Sequence, residues 1–544
     1  MTIETQSQQT GTADLSTPID HRVLGLAIHG IGQQKLGTTL KYVLSEMLPL
    51  VRQIDRGAGV SARPLDEGDP AEVVIRFRGT STKTSKVEGY ELKFKEVWWA
   101  NTFEPPAVTD MLFSMPRLAA RLVHRPGAGW LRALAIVIGS AILRILWDVA
   151  QVLLAVIFAV PGLIATLLSL RREGRFGRAR TWLLLTAARG QTAIAEIVVL
   201  VASPFVLVLV LMPLRVIEFV IPSNLRPEGL AKFRLMLIKI FTEHLGDMWL
   251  YLYRPWEASR IRYRLEERFR EIVEEVKNPT AEGNVECVMV IAHSMGAVVA
   301  YEALTGRRMS DLIDQNFGGD GQPKLYLATV GAGLNLAWRL VPDAEEGRLI
   351  RPLSKAANWH DFWTEFDPVP RGKVNLPPSL ATLFEDYKPK DHRVVNQVDV
   401  FSDHTAYWNN AEEVLAPLLD LVTDNHFGKA LNLNKAAREN RVYVLSGFKG
   451  LTWLAAPVTA AAVALGGGAD LLTDQIVNVL GVSGDVPSAL GALGAAGAGA
   501  AAVVIVYSTL IKWRWNVWDR RVKYQPVLPV EAAMVATELR SMGT

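Results

Sequence analysis

Residues 288–300 read Val288-Met289-Val290-Ile291-Ala292-His293-Ser294-Met295-Gly296-Ala297-Val298-Val299-Ala300, and the fold is read outward from this stretch. A short, unbroken apolar run is the pattern of a strand buried on both faces. The second apolar run, rich in small residues, predicts a buried helix directly after it. Between them stands small-x-Ser-x-small, with Ala292 and Gly296 two residues either side of Ser294. A strand that turns sharply into a helix needs small residues there, because a larger side chain would strike neighbouring backbone. The turn lifts Ser294 to the N-terminus of the helix, where free N–H groups and the helix dipole favour a developing negative charge.

A serine hydroxyl is a weak nucleophile until a base takes its proton, so a histidine and an orienting carboxylate are expected further along the chain. Asp367 follows a strand candidate at 357–366 and opens Asp367-Pro368-Val369-Pro370, a turn suited to holding a carboxylate rigidly. His404 follows a strand candidate at 393–401 and opens Thr405-Ala406-Tyr407-Trp408. Asp361, Glu365 and Asp403 compete for the role of acid, with Asp361 and Glu365 expected inside the strand and Asp403 expected to point elsewhere. His392, His360 and His426 compete for the role of base, His392 being expected ahead of its strand. The preferred set is Ser294, Asp367 and His404.

An oxyanion site requires the backbone N–H after the nucleophile, here Met295, and a second N–H from a loop after an early strand. Residues 22–28 form a mostly apolar run that delivers His29-Gly30-Ile31-Gly32-Gln33-Gln34. Glycines allow main chain to approach a substrate oxygen, and Ile31 N–H is the expected second donor.

Further strands are expected at 72–78, 90–99 and 324–331, and helices at 41–52 and 258–277. Strand and helix alternate, which predicts an α/β fold with a mostly parallel, doubly wound sheet.

The Ala292-His293-Ser294-Met295-Gly296 turn, the His29-Gly30 strand end and the order serine, aspartate, histidine resemble the α/β-hydrolase superfamily, in particular its lipase and esterase branches. The likeness covers residues 22–100 and 255–423. It implies a Ser-His-Asp triad, no cofactor, and an acyl-enzyme route on esters, thioesters or amides. By that likeness Ser294 is the nucleophile, His404 the base, Asp367 the acid, and His29-Gly30 part of the oxyanion loop. The chain departs from the pattern in having Ala292 where glycine is commoner, and in a long apolar insertion between the early strands and the serine turn.

Hydrophobic residues make up 50% of the chain and mean hydropathy is +0.17, which directs attention to bilayer-spanning runs. Residues 149–170 and 197–214 carry no charge and are each about long enough to cross a hydrocarbon core; 131–147, with Arg132 and Arg144, suits an interfacial helix. Two more apolar runs lie at 451–469 and 487–511, the latter with Gly491, Ala495 and Gly499 at the spacing that lets helices pack closely. The connection 470–486 has no Lys or Arg while its flanks are basic, which places both flanks in the cytosol. The arginines between 171 and 180 would keep that loop cytosolic too, so an early helix is expected to re-enter or lie in the interface. The expected organisation is a disordered polar tail at 1–20, a first hydrolase segment at 21–128, a membrane insertion at 129–221, a second hydrolase segment at 222–448, and a membrane hairpin with basic tail at 449–544. The catalytic part is expected to face the cytoplasm.

Net charge is only +3 and no basic run is interleaved with aromatics, so nucleic acid is not an expected partner. The single cysteine, Cys287, excludes an intramolecular disulfide and lies in an apolar run. No phosphate loop followed by Lys-Ser/Thr and no cluster at metal-ligand spacing is found, so neither cofactor nor metal is expected. Trp98-Trp99 is read as packing, with an acyl pocket as the sharper alternative. Three functions follow: a membrane-associated serine hydrolase cleaving a lipid or other acyl ester, a non-catalytic membrane scaffold that keeps a hydrolase shape, and a transport role. The last is weakened by the lack of ionisable residues within the long spans.

Overall fold

The computed structural model describes residues 19–30, 36–55, 58–62, 72–80, 87–99, 250–252, 254–278, 284–340, 351–365, 367, 369–370, 372–375, 388–396 and 403–423, with a few isolated positions between 452 and 506. The expected membrane insertion at 129–221 lies outside the described residues, as do nearly all of 449–544 and the tail at 1–18. Among the described residues no helix is long and apolar enough to cross a membrane.

Among the described residues eight strands form one mixed, mostly parallel sheet: β1 (His21–Ile28), β2 (Gly59–Ala62), β3 (Glu72–Thr80), β4 (Val87–Val97), β5 (Val285–His293), β6 (Lys324–Val330), β7 (Ala357–Trp363) and β8 (Lys390–Arg393). Their order is β2-β3-β4-β1-β5-β6-β7-β8. Pairs β2–β3 and β3–β4 are antiparallel, and every pair from β4 to β8 is parallel. The described helices are α1 (Thr38–Ile54), α2 (Pro255–Lys277), α3 (Met295–Leu304), α4 (Arg307–Asn316), α5 (Leu334–Leu340) and α6 (Ala416–Val422), with a 3-10 turn at Asp403–Asn409 and a π turn at Ala411–Leu415.

Strand β1 is apolar on alternate positions of both faces because both faces are covered. Leu24, Leu26 and Ile28 pack with Ile261, Leu265 and Phe269 of α2. Val23 and Ala27 pack on the other side with Val43, Leu44, Met47 and Val51 of α1, and with Leu418 and Leu419 of α6. In both helices the buried positions recur at three- and four-residue spacing, one stripe per helix. Each fully buried leucine, isoleucine or phenylalanine contributes about 1.5–3 kcal/mol, so these stripes decide which side of the sheet each helix covers.

Charge sets the direction of α2. Arg22 on β1 pairs with Glu91 at 2.9 Å and with Glu275 at 3.1 Å, and Lys93 on β4 reaches the same Glu275 at 3.0 Å. The last turns of α2 therefore sit over the body of the sheet. Its middle reaches the carboxyl edge, where Arg264 donates to Trp98 O at 3.2 Å.

The chain leaves β1 toward β2, β3 and β4 on one side, and leaves β5 toward β6, β7 and β8 on the other. Adjacent parallel strands whose connections diverge leave a crevice beyond their carboxyl ends. Here that crevice opens past Ile28 and His293.

The last strand differs from expectation. A strand was expected at 393–401, but β8 is Lys390–Arg393, residues 394–396 leave the ladder, and 397–402 lie outside the described residues. His392 therefore lies within the strand and not ahead of it. The reason is physical: β8 is a short, polar edge strand held by backbone pairing to β7, while Val394 and Val395 are buried by packing without being part of the sheet. Glu365 likewise lies just beyond the end of β7, whereas Asp361 is inside it.

Candidate active site

Ser294 has φ +56° and ψ −123°, and among the described residues it is the one non-glycine with positive φ. A side chain other than glycine in this region stores strain of order 1–3 kcal/mol, which packing must over-determine. It does so here: Ser294 N donates to Val330 O at 3.0 Å, and Gly333 N donates to Ser294 O at 3.0 Å. The serine turn is thus tied to the end of β6 and the start of α5.

The small residues around it follow from contact distances. A β-carbon on Gly296 would lie 2.4 Å from His29 O and 2.9 Å from Ile28 O, so α3 can approach the end of β1 only with glycine there. A β-carbon on Gly30 would lie 2.8 Å from Ser294 Cβ. Ala292 is fully buried.

The hydroxyl of Ser294 donates to His404 Nε2 at 2.8 Å, and His404 Nδ1 donates to Asp367 Oδ2 at 2.8 Å. The carboxylate acceptor sets the tautomer, leaving the lone pair of Nε2 for the serine proton. Asp367 is fully buried. It accepts two further bonds, from Tyr407 Oη to Oδ2 at 2.8 Å and from Val369 N to Oδ1 at 2.9 Å. Three charge-assisted bonds on one buried carboxylate leave it little rotational freedom.

The rival residues are placed in other networks. Asp361 accepts from Thr329 Oγ1 at 2.8 Å and from Val374 N at 3.0 Å, and burial pushes its carboxyl up to about 7. Glu365 pairs with Arg393 at 3.2 Å, and Asp403 accepts from Thr364 Oγ1 at 2.8 Å. His360 and His392 bond each other at 2.8 Å. His426 lies outside the described residues.

Two further histidines border the site as neutral groups. His293 donates through Nε2 to His404 O at 2.9 Å and stacks on the His404 ring at 4.9 Å; burial, reinforced by His404, lowers it to about 3. His29 donates through Nδ1 to Gly30 O at 2.7 Å, accepts at Nε2 from Trp99 N at 3.2 Å and stacks on the Trp99 ring at 4.5 Å. Burial lowers His29 to about 4. Trp99 is thereby a wall behind the end of β1, and its indole also donates to His29 O at 3.3 Å.

Met295 opens α3, so its N–H belongs to the first turn of a helix that begins at the serine. Ile31 and Gly32 lie outside the described residues. The description resumes at residue 36 ahead of α1, whose first turn is capped from β4: Glu96 accepts from Gly37 N and, at 3.1 Å, from Thr39 N.

Several residues escape sequence reasoning. Tyr407 stands three residues after His404, in the stretch already singled out, yet nothing local marks its hydroxyl as a partner of Asp367. Gly331 has φ +56°, and a β-carbon there would lie 2.7 Å from Tyr407 Cε2 and 3.1 Å from Asp367 Oδ2; the signal was a glycine directly after β6. Asn335 of α5 donates to Pro370 O at 2.7 Å and Lys373 O at 2.9 Å and accepts from Asn375 N at 3.0 Å, fastening the loop that follows Asp367.

The fold and site thus define an α/β protein with a mostly parallel sheet that carries a hydrogen-bonded serine, histidine and aspartate at its carboxyl edge. Compared with known proteins, the chain matches no family model, no curated protein and no solved structure. Among the described residues no group of three or more His, Cys, Asp or Glu side chains is placed to hold a metal ion.

Proposed function

We propose that this protein is a serine hydrolase of the α/β-hydrolase kind that cleaves a carboxylic ester through an acyl-enzyme, with Ser294 as nucleophile, His404 as general base and acid, and Asp367 as the orienting carboxylate. The observation that carries this reading is the unbroken relay Ser294 Oγ, His404 Nε2, His404 Nδ1, Asp367 Oδ2, with both hydrogen bonds at 2.8 Å and the serine at a strained turn between strand and helix. That geometry suits acyl transfer.

His404 Nε2 takes the proton as Ser294 Oγ attacks the acyl carbonyl. The carbonyl oxygen becomes an oxyanion facing Met295 N–H at the start of α3, with Ile31 N–H as the proposed second donor. His404 then returns the proton to the leaving alcohol as the tetrahedral species collapses to the acyl-serine. Water, deprotonated by the same imidazole, attacks that ester, and the acid leaves with Ser294 restored.

The proposed substrate is a lipid or other acylated molecule presented at a bilayer, with the catalytic part on the cytoplasmic side. Support comes from the uncharged runs at 149–170, 197–214, 451–469 and 487–511 and from the basic flanks of the last two.

The test is labelling of the full-length membrane fraction with a fluorophosphonate probe. Wild type is expected to label covalently and Ser294→Ala to remain unlabelled while folding normally. Equal labelling of both assigns the nucleophile elsewhere, and no labelling of wild type supports the scaffold reading. Lipid-extract profiling of the two then identifies the ester consumed.

A further inference from the structure

Both His404 Nδ1 and Tyr407 Oη donate to the same oxygen of Asp367, each at 2.8 Å. Here the oxygen that faces the imidazole is shared with a phenol. Tyr407 is fully buried, its hydroxyl also accepts from Thr364 N at 3.2 Å, and Gly331 leaves the space its ring occupies. The hydroxyl is fixed from two sides and can only point its proton at Asp367.

We propose that Tyr407 is a positioning residue that sets the proton affinity of His404 by withdrawing charge from Asp367 Oδ2. This rests on the reading of Ser294, His404 and Asp367 as a catalytic set. A hydrogen-bond donor on the carboxylate spreads its negative charge, so the imidazolium formed when Ser294 loses its proton is held less tightly than it would be by an Asp367 without that donor. The phenol stays protonated throughout, because burial first, and the neighbouring Asp367 and Asp403 next, raise it well above its ordinary value. The other titratable groups around His404 do not compete for this part. His293 and His29 are neutral through burial, and Asp403 is engaged by Thr364 Oγ1 at 2.8 Å.

The experiment is the pH dependence of the rate at which a fluorophosphonate inactivates the full-length enzyme, compared between wild type, Tyr407→Phe, and a protein with a difluorotyrosine placed at 407. Removing the hydroxyl is expected to move the acid limb to higher pH by about half to one unit, a three- to tenfold rise in the proton affinity of the base. The fluorinated phenol is a stronger donor and is expected to move the limb the opposite way. A purely structural role for Tyr407 lowers the amount of active protein at every pH and leaves the limb in place. An unmoved limb in both variants, with wild type reacting normally, overturns the inference alone. Failure of wild type to react at any pH removes the catalytic set, and the inference with it.

Discussion

Gly30 lies against Ser294 so closely that a β-carbon on it would sit 2.8 Å from Ser294 Cβ and 3.3 Å from Ser294 Oγ. The end of β1 and the end of β5 are neighbours in the ladder, Ile28 opposite Ala292, so the two strands deliver their following residues to the same point. Gly30→Ala is therefore expected to push the hydroxyl off the His404 axis. A misplacement of this size costs on the order of 100-fold in rate. The check is probe-labelling kinetics alongside circular dichroism, and unchanged labelling with an intact fold would show that Gly30 is not needed for access.

Asp367→Asn places an amide where the carboxylate accepts three hydrogen bonds. The amide nitrogen offers protons to His404 Nδ1 or to Tyr407, so the imidazole is driven toward the tautomer that cannot accept from Ser294. If the protein is the proposed serine hydrolase with Asp367 as its orienting carboxylate, a fall in turnover on the order of 10⁴ is expected. Ester hydrolysis by wild type and variant in the same detergent measures it; a loss below tenfold assigns the acid to another carboxylate.

Gly331→Ala tests the packing behind the acid. Its φ of +56° strains any L side chain, and the added carbon would press on the Tyr407 ring and on Asp367 Oδ2. Loss of about 1–3 kcal/mol in stability is expected, together with slower labelling, because Tyr407 and Asp367 must shift. A thermal melt and a labelling time course separate the two effects.

Asp361 predicts a pH dependence of stability. Its carboxyl is raised from 3.8 to about 7 in the fold, burial being the main cause and the bonds from Val374 N and Thr329 acting against it. Between those values the folded protein holds a proton that the unfolded chain has released. Stability from this group is therefore complete below about pH 4 and falls as pH rises to about 7, by on the order of a few kcal/mol. Asp361→Asn should flatten that part of the stability profile in denaturant titrations run from pH 4 to 8. A profile of unchanged slope would remove Asp361 from the account.

Much of this architecture was legible from local pattern. The apolar run at 22–28 is β1, the charged amphipathic segment at 258–277 is most of α2, and the strand and helix around Ser294 lie where small residues and apolar periodicity placed them. The polar edge strand β8 lies ahead of the strand the sequence predicts, because four residues without an apolar alternation carry no signal until β7 offers them a backbone partner. Strand β2 at Gly59–Ala62 is equally hard to read locally, because four residues are too short for a period-two pattern to stand out before β3 pairs with them.

Local chemistry by itself determined that Ser294 would stand at a tight strand-to-helix turn, since only small neighbours permit that backbone, and it named His404 and Asp367 among several rivals. Chain order and strand ends already put that pair ahead of the rivals; bringing the three side chains within hydrogen-bonding distance required three dimensions. His404 and Asp367 meet Ser294, with Tyr407 behind Asp367, because β5, β6, β7 and β8 run side by side in that order in one sheet, and that order goes with burying both faces of the sheet at once. No interaction between neighbours in the chain encodes a distance of 2.8 Å between atoms of residues 294 and 404; the shared core does.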